Sequence, residues 1–319
     1  MMYNGLRNIG DLFLLFQRLP YDFELDLPTP LGPGIYLDYT PQDILASVEP
    51  PALADYVLPG YSLPGMPITN CCIRTDSSYC DKDSPKPKDL LFLAILGLRL
   101  QAPISIEVAG KFELGSEDDP IKEPESFGML SSWHPYHEKE YTTEDIKRAE
   151  KIVNKIIQLG KLNEKRLVSA IILFSHSSCG FSKSLQLAYL GLFSALEALF
   201  LPKGNKAKSL AKRIASYLSS FDGDGTLESW LKSQYIHERS QLAHGIQDIN
   251  PWIKLRKSKH ESYGKLHEIV RLCLLGFLSL RSSEIINLTK KTGNNLQQEL
   301  DNLAPAKGTF VEGQFMWLG

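Results

Sequence analysis

The chain has 319 residues, 43% apolar and 23% charged, with a net charge of −2, long enough for two ordinary domains and typical of a globular chain in water. It has no run of 18 apolar residues, and its start, MMYNGLRNIGDLFLLFQRLP, has early acid and no small-residue cleavage site, so neither a membrane-spanning helix nor a signal peptide is expected. Five cysteines at irregular spacing (Cys71, Cys72, Cys80, Cys179 and Cys273) argue against a disulfide framework and point to reduced thiols in a cytoplasmic protein.

The near-neutral total hides two unlike halves. Residues 1–145 hold 10 Lys and Arg against 23 Asp and Glu, a balance of −13, and residues 146–319 hold the other 25 and 14, a balance of +11. Sixteen of the 19 prolines also precede residue 146. The expected organisation is an acidic, proline-rich, mixed α/β domain over 1–140 and a helical domain over 141–319, an α+β chain. A basic half suits a polyanionic partner, although basic helix faces are common without one.

In chain order, YDFELDL alternates as a strand does, and GIYLDY follows a GPG turn and reads as another. TPQDILASV is a short helix with Thr40 at its N-cap and Pro41 at its first position. SSYCDKDSPKPKD is a loop. DLLFLAILGLRLQ is long enough for a buried helix, with a strand as the alternative. ISIEVAGKFEL is a strand pair or one bent strand, and GSEDDPIKEPES is an exposed acidic loop.

The basic half reads as helices. One opens at Thr142, Thr143 and Glu144 and closes at Gly160. EKRLVSAIILFSHS follows, with a break at SSCG, and then SKSLQLAYLGLFSALEALF, ended by Pro202. KAKSLAKRIASYLSSF runs to a DGDG turn, TLESWLKSQYIHERSQLAH ends at Gly245, and a long helix covers Lys257–Asn287. About six helices with short connections make an antiparallel bundle. The last thirty residues are polar, and their end, GTFVEGQFMWLG, could fold back as a strand.

The stretch ERSQLAHG carries the most chemistry. Leu227, Leu231, Tyr235 and Leu242 recur at helical spacing as the buried stripe. Arg239 falls on or beside that stripe, where an arginine needs a partner. His244, five residues on, lies roughly 140° around an ideal helix. The two converge only if the chain turns out at the end, which Gly245 at C′ permits, and the helix dipole there favours a protonated imidazole. The plainer alternative is a surface arginine and a capping histidine.

From about residue 145 to 286 the chain resembles the HEPN superfamily of helical bundles, in particular the Apea-like group of bacterial defence proteins. The motif R-x4–6-H stands as Arg239, Ser240, Gln241, Leu242, Ala243, His244, within a Y-x3-RS-x3-HG pattern from Tyr235 to Gly245. LFSALEALF, with Glu197 in an apolar face, and KSLAKRIASYL match in order and spacing. Ser240 departs from the Asn, Asp or His that many members carry after the arginine.

The resemblance implies a metal-independent endoribonuclease, with no cofactor, in which dimerisation or higher homo-oligomerisation joins two motifs. Its 2′-OH attack leaves a 2′,3′-cyclic phosphate and a 5′-OH. His244 would move the proton and Arg239 would hold the phosphate oxygens. Ser240 would bond the phosphate or orient His244, or is a plain exposed serine. Glu197 would fix Arg239, or form an ordinary interhelix salt bridge, and Tyr235 is a core residue beside the site. Lys206, Lys208, Lys212 and Arg213 would follow an RNA backbone, as would IKLRKSKH, unless they are solvated helix faces. The implied setting is anti-phage defence or a toxin-like stress response, with a trigger or regulatory protein as a further partner. The alternative is a non-catalytic module that binds a nucleotide, RNA or a protein.

Two metal patterns fall short. Cys71, Cys72, Cys80, His134 and His137 have no standard finger spacing and read as buried thiols and surface histidines. FDGDGTLES begins like a calcium loop but has Ser233 where the loop needs Glu, and reads as a turn.

Overall fold

Leu12–Phe16 is an unbroken apolar run, which fits a strand covered on both faces. The computed structural model of the chain describes residues 10–18, 27–41, 44, 71–79, 85–102, 106–114, 141–161, 164–180, 184–244 and 257–314. In it that run forms β1 (Leu12–Arg18), which lies between other strands. The remaining strands are β2 (Thr29–Gly32), β3 (Ile35–Tyr39), β4 (Cys71–Thr75) and β5 (Glu107–Glu113). They make one antiparallel sheet in the order β2-β3-β4-β1-β5. Phe13, Leu15, Cys72 and Phe112 share a face and pack with Ile44. Leu14, Ile73 and Leu37, in register across β1, β4 and β3, form the opposite face.

The apolar segment Pro87–Gln101 is a helix, α1, as its length favours over a strand, with Pro87 in its first turn. ISIEVAGKFEL contributes one strand, bent by register shifts against β1. The strand expected over YDFELDL and most of the TPQDILASV helix lie outside the described residues, as do GSEDDPIKEPES, Cys80, His134 and His137. Cys71 and Cys72 are buried in β4.

Helix α2 (Thr143–Lys161) starts at Thr142, whose hydroxyl and the Asp145 carboxylate hydrogen-bond across the first turn. Asp145 also accepts from Gln101 at 2.9 Å, and Tyr141 donates to the Leu98 carbonyl. Gly97 is required where α1 meets α2, because a Cβ there would stand 2.6 Å from Val153. The chain divides into two compact units, Met1–Asn154 and Lys155–Gly319, and the division falls within α2.

The second unit contains α3 (Lys165–Gly180), α4 (Leu185–Phe200), α5 (Lys206–Tyr217) and α6 (Leu227–Gln234). A π-helical turn, Tyr235–Arg239, joins α6 to the short α7 (Ser240–Ala243). Then come α8 (Lys257–Ser279), α9 (Ser282–Lys290) and α10 (Gly293–Asp301). No helix among the described residues is long and apolar enough to cross a membrane.

Four expectations need correction here. The helix at SSCG does not break: α3 runs to Gly180, with the Ser177 and Ser178 hydroxyls donating to carbonyls of their own helix one turn back instead of capping it. The long last helix is two, α8 and α9, and Lys155 Nζ meets the Leu280 carbonyl between them. The polar tail forms α10, with Leu296 and Leu300 buried at a spacing of four. The end GTFVEGQFMWLG shows turns rather than a strand as far as Gln314.

The sharpest correction concerns Arg213, expected to face RNA. Its side chain is buried. Nη1 donates to the Phe200 carbonyl at 2.5 Å and to that of Leu201, Nε to Asp301 at 2.7 Å, and Nη2 to the Gln297 side chain at 2.9 Å. Leu201 ends α4 in a left-handed conformation (φ 41°), so its neighbourhood contains carbonyls that the helix itself cannot satisfy. Arg213 supplies the donors.

Removing Arg213 strands those carbonyls, whereas Asp301 is 57% exposed and can return to water. Arg213→Ala is therefore expected to lower unfolding stability by about 3 kcal/mol and Asp301→Asn by less than about 1 kcal/mol, as read from urea unfolding curves. Equal losses in the two variants would contradict this account.

Candidate active site

Helix α6 buries Leu227 and Leu231, and Tyr235 continues the stripe. There the helix widens by one residue, so the Ser240 N–H reaches the Tyr235 carbonyl instead of the usual partner one residue nearer. An inserted residue turns all later side chains by about 100° relative to the stripe. Leu242, expected on the stripe, is accordingly only half-buried. Turns of this kind cost regular hydrogen bonding and gather at functional sites.

Neighbouring helices hold the widened turn. Tyr189 of α4 donates to Gln234 at 2.6 Å, and Glu238 pairs with Lys259 of α8 at 2.5 Å. Most directly, Glu197 of α4 accepts at one oxygen, Oε1, from both the Tyr235 hydroxyl (3.0 Å) and Arg239 Nη2 (2.9 Å). The guanidinium also lies 5.1 Å from the centre of the Tyr235 ring, and Phe193 meets that ring edge-on. Stacking and ion pair together fix the arginine's orientation.

Arg239 is 23% exposed and Glu197 21%. The guanidinium has five N–H donors, and Glu197 engages one edge of it, so the rest can receive a phosphate. Burial, then the hydrogen bond to Glu197 and its negative charge, push the Tyr235 hydroxyl up to about 12. Tyr235 is therefore a hydrogen-bond donor near neutral pH and not a base.

Of the expected residues, Arg239, Glu197 and Tyr235 come together. His244 and Ser240 do not join them. His244 caps α7, its backbone N–H bonded to the Ser240 carbonyl, and its imidazole is exposed. No contact joins it to Arg239 or Ser240 through side chains among the described residues. Gly245, and residues 253–256 of the second basic cluster, lie outside them. Lys206, Lys208 and Lys212 are exposed on α5, whereas Arg213 faces inward.

Glu197 has a second environment that the sequence did not suggest. It stands in the wall of a cleft of about 440 Å3, with Lys203, Lys206 and Lys291 on other sides. No family model, curated protein or solved structure matches the chain.

The raised Tyr235 value has a definite sign. A phenol that stays protonated longer in the folded chain stabilises it below the ordinary value near 10, and that stability is lost as pH rises from about 10 to about 12. The stability advantage of the unaltered chain over Tyr235→Phe is thus expected to shrink between pH 9 and pH 11, measured by urea unfolding. An advantage that does not change with pH would contradict the Tyr235–Glu197 contact.

Proposed function

We propose that the second unit is a HEPN-like helical domain and that the protein is a metal-independent endoribonuclease. The observation that carries this reading is the orientation of Arg239 by Glu197 and Tyr235, one turn before an exposed, uncommitted His244. A fixed guanidinium is suited to the charge that builds on phosphate oxygens, because little reorganisation is needed as the charge develops. A solvent-facing imidazole is suited to proton transfer near neutral pH.

In this reaction the ribose 2′-oxygen attacks the adjacent phosphorus while His244 takes its proton. The bond from phosphorus to the 5′-oxygen breaks, and that oxygen takes up a proton from solvent, which balances the one His244 has taken. The products are a 2′,3′-cyclic phosphate and a 5′-OH. Ser240, at the start of α7, is near enough in sequence to orient the imidazole or bond the phosphate. A second copy of the chain would complete the groove. The acidic first unit would sense a trigger or restrain the nuclease, in a cytoplasmic defence or stress role, a step that rests on resemblance alone.

One observation favours a second reading, a non-catalytic nucleotide-, RNA- or protein-binding module. Arg239 is already paired, and among the described residues no side-chain contact couples it to His244.

The two readings separate in one assay, RNA incubated with the purified chain in EDTA. The nuclease is expected to leave cyclic phosphate ends, spare all-DNA strands, and lose at least about a hundredfold in rate in His244→Ala. Binding without cleavage would favour the module, and cleavage of DNA would overturn the mechanism.

A further inference from the structure

The cleft beside Glu197 has the size of a small-molecule site, about 440 Å3. Its composition is lopsided. Lys203 and Lys206 are exposed on its wall, and neither forms an ion pair or a side-chain hydrogen bond among the described residues. Lys291 adds a third ammonium, shared with the exposed Glu299. Against these cations the lining offers one carboxylate, Glu197, whose charge is already taken by Arg239 and by the Tyr235 hydroxyl. Lys203 and Lys206 are therefore left without a counter-anion among the described residues.

The backbone adds to the same sign. Thr292 and Gly293 line the cleft, so the N-terminal end of α10 opens on it. Thr292 makes no capping hydrogen bond, and the first turn of α10 contains no acidic residue. Exposed first-turn N–H groups and their dipole favour an anion at that end. The rest of the wall is Leu201, Pro202 and Leu296, which are apolar, and Gln297. Arg213 and Gln297 fix this wall, both donating to the Leu201 carbonyl.

We propose that this cleft is a nucleotide site. Its phosphate end is the ring of Lys203, Lys206, Lys291 and the α10 N-terminus, and its apolar wall receives the ribose or base. Phosphate alone would not use Leu201, Pro202 and Leu296, and an apolar ligand alone would not use three ammonium groups. The nucleotide can come from two sources, free in solution or as one unit of an RNA strand. In the second case the assignment rests on the nuclease reading and adds a subsite next to Arg239, since Glu197 belongs to both places. In the first it stands without that reading.

The test uses the full chain in EDTA and two probes, ATP and a short 2′-O-methyl oligoribonucleotide, which cannot be cleaved by 2′-OH attack. Binding is measured by calorimetry or anisotropy. Lys203→Glu with Lys206→Glu is expected to weaken binding of at least one probe by about tenfold or more. If the probe is the strand, the slope of log affinity against log salt falls by about 1.4 for two lost contacts. Thr292→Asp is the informative companion, because a carboxylate at an N-cap supports the helix while it repels a phosphate. It is expected to leave the melting temperature unchanged or higher and still weaken binding several-fold.

Loss that includes ATP identifies a free-nucleotide site, and loss confined to the oligomer identifies a strand subsite. The proposal is overturned if neither probe binds the unaltered chain, or if both variants bind as tightly as it does. Cleavage is not read here, so failure of the cleft and failure of the nuclease are seen separately.

Discussion

The buried guanidinium of Arg213 is the joint on which the second unit depends. Helix α4 ends in a left-handed Leu201, and the carbonyls released there accept from Arg213. The same group holds Asp301 and Gln297 of α10. One planar cation thus ties the end of α4 to α5 and α10, a task that suits arginine's five fixed donors better than the point charge of lysine. Desolvating a charge is costly, and the cost is met only when its donors are used. Here Nε, Nη1 and Nη2 all are.

Glu197 lies one turn before that joint, so the orientation of Arg239 follows from the position of α4. The chain of dependence runs from Arg213 to the end of α4, to Glu197, and from there to Tyr235 and Arg239. The widened turn at Tyr235–Arg239 fits this order. A helix that leaves its regular hydrogen-bond ladder needs compensation from outside. It receives that from Tyr189 and Glu197 on α4 and Lys259 on α8.

Much of this was legible in the sequence, and the failures have physical causes. Capping residues marked α2, helical spacing marked the helix bearing Arg239, and a long apolar run marked α1 (with a strand as the alternative) and the helix bearing Glu197, because all of these are local signals. Strand β1 was missed because a strand covered on both faces loses its alternation, leaving only an apolar patch. Helix α10 was missed because two leucines in a polar tail are a weak stripe. The division between α8 and α9 draws on Lys155, far away in the chain. The error at Arg213 is the most instructive. It stood in a run with three lysines, and charge counting cannot tell a satisfied cation from a free one. Yet Leu210, Ile214 and Tyr217 are buried at helical spacing around it, and the rule that an arginine beside an apolar stripe needs a partner, used for Arg239, held equally for Arg213. The π-helical turn left no signal, having neither proline nor glycine.

A carboxylate in the wall of a cation-lined cleft would ordinarily repel the phosphate that the cleft attracts. Glu197 escapes that conflict only while Arg239 and Tyr235 hold its charge. Any weakening of the pair would return negative charge to the cleft, so an anion there favours the paired state. Glu197 holds one edge of the Arg239 guanidinium and leaves its other donors open, so the two places share one carboxylate without competing for it. Tyr235 moderates the conflict, because its hydroxyl also donates to Glu197 and its ionisation is pushed up to about 12. A neutral donor on that carboxylate is what lets the proposed phosphate contact at Arg239 and the proposed nucleotide cleft share a wall.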